Sequence, residues 1–105
     1  MGKIVAVDFD GVIHDYKNPI PGRRMGGLIP GTLDALMSFG RHGFKIIVFT
    51  VWGDDRGREV IAEFMKYYQL PFDEITNTKP KADYYIDDKG IHFTTWEDAL
   101  AQIIQ

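Results

Sequence analysis

The chain holds 105 residues, room for one domain with one core and none for a second. Hydrophobic residues make up 45% and charged residues 26%, an ordinary globular composition; a formal net charge of −3 argues against holding nucleic acid or membrane by bulk electrostatics and leaves a local basic patch open. There is no cysteine, which excludes disulfides, thiolate catalysis and thiolate metal sites.

The first predicted element is a strand over Lys3-Ile4-Val5-Ala6-Val7, a short β-branched run that leads directly into Asp8-Phe9-Asp10-Gly11. Being apolar on both faces, it suits a buried parallel strand. No charged region followed by a long apolar stretch precedes it, and no apolar run reaches membrane-spanning length, so the expected setting is the cytoplasm. Residues 11–30 gather Pro19, Pro21, Gly22, Gly26, Gly27 and Pro30 and read as an irregular excursion. A helix opens at Gly31 or Thr32, with Leu33, Leu36, Met37 and Phe39 at helical spacing, and Gly40 and Gly43 end it.

Phe44 to Thr50 (FKIIVFT) is the second buried-strand candidate. A second helix runs from about Asp55 to Tyr68, with Val60, Ile61, Phe64, Met65 and Tyr68 on one face, and Pro71 stops it. Phe72 to Ile75 forms a short third strand, and Ala82 to Ile86 a fourth that ends in Asp87-Asp88. Ile91 to Phe93 is a short edge strand, after which Thr95 or Thr94 caps a final helix that runs through Ile104, with Glu97 in its first turn.

Strands alternating with helices imply an α/β fold, a Rossmann-like three-layer sandwich whose mostly parallel sheet carries helices on both faces. Ligands bind such sheets beyond the carboxyl ends of the strands. Polar residues gather at those ends here: Asp8 and Asp10 after the first strand, Thr50 after the second, Asp87 and Asp88 after the fourth. Four carboxylates on one rim cannot all stay ionised without a compensating cation. Oxygen ligands with no His or Cys among them favour a hard ion, and Mg²⁺ is expected where a phosphate completes the shell. A carboxylate beside such a metal can attack phosphorus, while a second carboxyl two residues on can protonate the leaving oxygen and later deprotonate water. Residues i and i+2 of an extended segment share a face, so Asp8 and Asp10 can reach one substrate, with Gly11 permitting a sharp turn behind them. Thr50 and Lys79 are suitable donors to the remaining phosphoryl oxygens.

VDFDGVI resembles the DxDGx(V/T) signature of the haloacid dehalogenase superfamily. A strand ending in Thr50, a lysine at Lys79 before Pro80, and the acidic pair of YIDD follow in that family's order. The resemblance runs from residue 4 to about 93. It implies an Mg²⁺-dependent phosphatase with Asp8 as nucleophile, Asp10 as acid/base, and Thr50 and Lys79 as phosphate binders. It further implies a metal held by Asp8, the Asp10 backbone carbonyl and Asp87, with Asp88 helping through water. The family's true dehalogenases lack the second aspartate, so Asp10 points to phosphoryl transfer. No cap domain is inserted; residues 12–29 would serve only as a flap over an open site within a single 1–105 domain.

Only eight residues lead from Lys79 to Asp87, where relatives have a longer stretch containing a helix. At roughly 3.3 Å per residue, about 26 Å must carry the chain down from the rim and back up, which requires a short strand. Lys81 and Lys89 are therefore rivals for the phosphate-site lysine.

Other readings stay open. Thr50 could be a strand-end cap, and Asp87-Asp88 the start of a turn. Arg23 and Arg24 of the flap could be solvated or bind substrate, as could Arg56 and Arg58 after the Thr50 strand. His14 could touch the leaving group or sit on the surface, Trp52 could line a pocket or pack on the flap, and Trp96 reads as core or edge packing. A non-catalytic phosphate- or partner-binding module and a phosphotransferase are the alternative functions. A receiver domain has its phosphoacceptor after the third strand, an order this chain lacks. The partner is a phosphorylated substrate, small molecule or polymer end; the oligomeric state is open.

Overall fold

The computed structural model describes residues 2–22, 25–50, 55–87 and 94–104. The first apolar run forms β1 (Ile4–Asp8), with Val5, Ala6 and Val7 completely buried. The other strands of the main sheet are β4 (Lys45–Phe49), β5 (Glu74–Thr76) and β6 (Tyr84–Ile86), close to their expected places. The order is β5-β4-β1-β6 and every pairing is parallel. β1 is central, as its apolarity on both faces requires. The segment Ile91–Phe93, expected as an edge strand, lies outside the described residues.

The stretch read as an irregular excursion contains an antiparallel ribbon, β2 (His14–Pro19) paired with β3 (Gly26–Leu28), whose register shifts between its ends. Its strand HDYKNP has no alternation of apolar and polar residues, so periodicity could not reveal it. The apolar residues that seat the ribbon lie at its ends instead: Ile13, just before β2, is buried in the core, and Leu28, the last residue of β3, and Ile29 after it pack against that core. Pro19 is tolerated because it stands at the strand's end, beside the irregularity.

Helix α1 spans Thr32–Arg41, α2 spans Asp55–Tyr67 and α3 spans Trp96–Ile103. α1 starts where expected and runs through Gly40, and Gly43, at φ 78°, follows it in the left-handed region. Its buried face is Thr32, Ala35, Leu36 and Phe39, whereas Leu33 and Met37 are exposed. α3 is capped by Thr95, whose side chain accepts from the Asp98 backbone N–H at 3.1 Å, with Glu97 in the first turn. Among the described residues, no helix is long and apolar enough to cross a membrane.

Alternation along the strands and their register put Val5, Ile46 and Tyr84 in one row and Val7, Val48 and Ile86 in the next. These residues form one core with Leu36 and Phe39 of α1, Ile61, Phe64 and Met65 of α2, and Trp96 and Ala99 of α3. The connections β1–α1–β4 and β4–α2–β5 step the same way across the sheet, so crossovers of one hand place α1 and α2 on the same side. The opposite face presents Ala6, Ile47, Phe49 and Tyr85. Over it stands Lys79, whose Nζ lies 6.0 Å from the Phe49 ring centroid and 4.7 Å from that of Tyr85.

The chain is thus an α/β fold with a parallel sheet, as expected, but among the described residues helices cover one face and not both. The reason is the length of the β5–β6 connection. Residues 77–83 must pass two intervening strands, about 14 Å at roughly 4.8 Å per spacing, with fewer residues than a crossover helix needs.

A buried polar pair joins the first and last helices. The Trp96 indole N–H donates to Thr32 Oγ1 at 2.8 Å, and the Thr32 hydroxyl donates to the Ile29 carbonyl at 2.6 Å. Thr32→Val removes the hydroxyl that accepts from the indole N–H and donates to the Ile29 carbonyl, and should cost about 1–3 kcal/mol in urea unfolding. Thr32→Ser, which keeps the hydroxyl, should retain most of that stability.

Candidate active site

β1 ends at Asp8, and two neighbours fix what surrounds it. On one side Asp8 pairs in register with Phe49, so Thr50 follows at the same edge. On the other, Val7 pairs with Ile86, so Asp87 stands beside Asp8 one residue further along. Asp8 alternates with the core residues Val7 and Phe9, and Asp87 follows the core residue Ile86; both belong to the face that carries Phe49 and Tyr85. Thr50 is buried and held by its backbone N–H, which donates to the Thr76 carbonyl at 3.1 Å.

Asp10 is reached by a turn and not by a continuing strand. The Phe9 carbonyl accepts from the backbone N–H groups of Ile13 and His14, both at 2.9 Å, and the Gly11 N–H donates to the His14 carbonyl at 2.9 Å. Gly11 adopts φ 84°, a conformation an L side chain rarely takes, which is the sharp turn expected behind the motif. This turn folds His14 back onto Asp10, with Nδ1 2.7 Å from Oδ1 of the carboxyl group. His14 is therefore not a surface residue. It is buried, and it contacts the acidic side chain of the motif.

Lys79 brings its ammonium to the same rim: Nζ lies 2.8 Å from Oδ2 of Asp87. β6 has only three residues, the condition under which so short a connection can deliver a lysine to the strand ends. The same ammonium lies over the Tyr85 and Phe49 rings, which help to hold it at the edge. Asp87 is buried, and the Lys79 ammonium supplies a counter-charge where Asp8 and Asp87 stand side by side. Of the rival lysines, Lys81 is exposed two residues on, and Lys89 lies outside the described residues.

The remaining candidates divide. Arg58 is exposed and lines a cleft between α2 and β5 with Phe72, Asp73 and Glu74. Trp96 is core. Arg23, Arg24, Trp52, Asp88 and the side chain of Arg56 lie outside the described residues. The residue that sequence reasoning undervalued is His14. Its spacing of four from Asp10 was visible, but only the turn at Gly11 turns that spacing into a contact.

Among the described residues, no group of three or more acidic or histidine side chains is arranged around a common point for a metal ion. The rim does offer two adjacent carboxylates and backbone carbonyls, an oxygen-only donor set. Mg²⁺ typically takes one or two protein carboxylates and completes its shell with water and phosphate oxygens, so the donor chemistry fits that ion.

Because Asp87 is buried while Lys79 is half exposed, the pair should be worth less than a fully enclosed one. Lys79→Met should destabilise the fold by about 1–2 kcal/mol in chemical denaturation. Lys81→Met should leave the midpoint unchanged, and equal effects of the two would show that the ion pair contributes nothing.

No protein-family model matches the sequence, and no curated protein matches it. By structure, the chain is similar to a solved structure described as a conserved protein from Bacteroides thetaiotaomicron, with 24% identity and a TM-score of 0.74 over 98% of this chain and 90% of that one. That likeness supports the compact α/β fold with its parallel sheet.

Proposed function

We propose that the chain is a small, capless phosphatase of the haloacid dehalogenase type, which hydrolyses phosphate monoesters through an aspartyl-phosphate on Asp8 with Mg²⁺ as cofactor. The observation that carries this reading is the meeting of Asp8, Thr50 and the Lys79–Asp87 pair at the carboxyl edge of three adjacent parallel strands, with Asp10 on the turn that directly follows Asp8. Each is a residue type the reaction needs, and each comes from a different part of the chain.

In this mechanism a carboxylate oxygen of Asp8 attacks phosphorus. The bond from phosphorus to the ester oxygen breaks as the Asp10 carboxyl proton passes to that oxygen. Asp10, now a carboxylate, takes a proton from the water that attacks the phosphorus of the aspartyl-phosphate. Inorganic phosphate departs and the Asp8 carboxylate is restored. Lys79 has three N–H donors; with one on Asp87, others can serve a phosphoryl oxygen together with the Thr50 hydroxyl. Asp8, Asp87 and the Asp10 backbone carbonyl would hold Mg²⁺, which when bound offsets the negative charge of nucleophile and phosphoryl group.

Between β1 and α1 the chain holds only a short two-stranded ribbon and no inserted domain, so an open mouth that admits a small phosphorylated molecule or a polymer end is part of the same proposal. The test is hydrolysis of p-nitrophenyl phosphate with and without Mg²⁺. Asp8→Asn should lower kcat at least about 10³-fold, since it removes the nucleophile. Asp10→Asn should lower it by about 10²–10⁴-fold. Metal-dependent turnover that survives Asp8→Asn would overturn the mechanism.

A further inference from the structure

His14 makes two hydrogen bonds with opposite requirements. The backbone N–H of Gly26, on the ribbon strand β3, donates to Nε2 at 2.9 Å, so Nε2 carries no proton. The proton of the neutral ring is then on Nδ1, where it donates to Asp10 Oδ1 at 2.7 Å. The ring cannot swing away from this arrangement without cost. It stacks on Phe9 with centroids 5.2 Å apart and planes 18° apart, and meets the Phe64 edge at 5.5 Å. It is only 4% exposed.

The Gly26 donor is equally constrained. A Cβ at Gly26 would lie 1.8 Å from the Asp15 carbonyl oxygen, so the close approach of β3 to β2 admits only glycine. That approach is what aims the Gly26 N–H at the imidazole.

We propose that His14 is a positioning residue for Asp10, and that the docked ribbon selects the imidazole tautomer that does the positioning. This rests on the reading of Asp10 as the acid/base. With Oδ1 accepting from Nδ1–H, a proton on the Asp10 carboxyl must sit on Oδ2, which fixes the oxygen that delivers it to the leaving group. Ribbon, imidazole and carboxyl group then form one unit: β3 presents the N–H, the N–H sets the tautomer, and the tautomer orients the acid.

Two replacements separate the two bonds. An asparagine amide can place its NH₂ where Nδ1 stands and still donate to Asp10, whereas a glutamine carbonyl reaches the Nε2 position and keeps only the link to Gly26. Both lose the ring stacking, so their comparison cancels the general loss of packing. With p-nitrophenyl phosphate and Mg²⁺, His14→Gln should lower kcat about 10–100-fold with KM changed less than about 2-fold, and His14→Asn should recover most of that loss. In an Asp10→Asn background, His14→Gln should cost no more than about 2-fold further. Equal losses in the Gln and Asn variants, or full additivity with Asp10→Asn, would overturn the proposal.

The tautomer is read independently of turnover, by ¹⁵N NMR of the imidazole in the native chain. A protonated Nδ1 and bare Nε2, with a signal that shifts in Asp10→Asn, is the expected result. A protonated Nε2 or an averaged ring would overturn the proposal. A native chain that hydrolyses no phosphate ester would count against the phosphatase reading, and the tautomer would then decide whether the ribbon-to-Asp10 link exists.

Discussion

The register of β1 between β4 and β6 is the constraint from which the candidate site follows. Parallel strands end on the same side, and the hydrogen-bond ladder allows no free choice of which residues meet there. With Asp8 opposite Phe49 and Val7 opposite Ile86, Thr50 and Asp87 flank Asp8. A slip of one residue would send Val5, Val7, Ile46 and Val48 out of the core, so burial of these side chains also holds the polar edge in place. Hydrophobic energy spent on the sheet is thereby the same energy that holds two carboxylates side by side against their repulsion.

The second consequence comes from the brevity of the β5–β6 connection. A helix there would have covered Ala6, Ile47, Phe49 and Tyr85 and kept lysines at a distance. Residues 77–83 instead cross close to the sheet, the Ala82 N–H donating to the Tyr85 hydroxyl at 2.9 Å. The Lys79 ammonium stands over the Tyr85 ring and within ion-pair distance of Asp87, a counter-ion for that carboxylate. Reducing the layer on this face therefore does not weaken the edge; it brings a cation to it.

The ribbon contributes on the other side of the motif. Its polar strand β2 begins with His14, which is clamped between Phe9 and Phe64, while the turn around the Phe9 carbonyl closes the path from Asp8 to Asp10. A buried imidazole with both nitrogens satisfied rigidifies its surroundings, because moving it leaves polar atoms unpaired at low dielectric. In the proposed chemistry that rigidity falls on the acid/base, where misorientation of a carboxyl group is costly.

The sequence by itself determined the parallel α/β class, the places of the four main strands and three helices, and the gathering of Asp8, Asp10, Thr50 and Asp87 at strand ends. These are local signals: apolar runs of strand length, helical spacing of Ile61, Phe64 and Met65, a Thr95 cap, glycine at a turn. The ribbon, the one-sided helical layer among the described residues, the contact of Lys79 with Asp87 and the burial of His14 were decided only by the tertiary structure. Each depends on contacts between segments distant in the chain or on a single turn's dihedral angles, neither of which leaves a periodic trace. HDYKNP carries no strand pattern because its partner and the core beneath supply its stability, and Leu33 and Met37 match a helical stripe yet face outward because Trp96 and the sheet meet α1 along Thr32, Leu36 and Phe39.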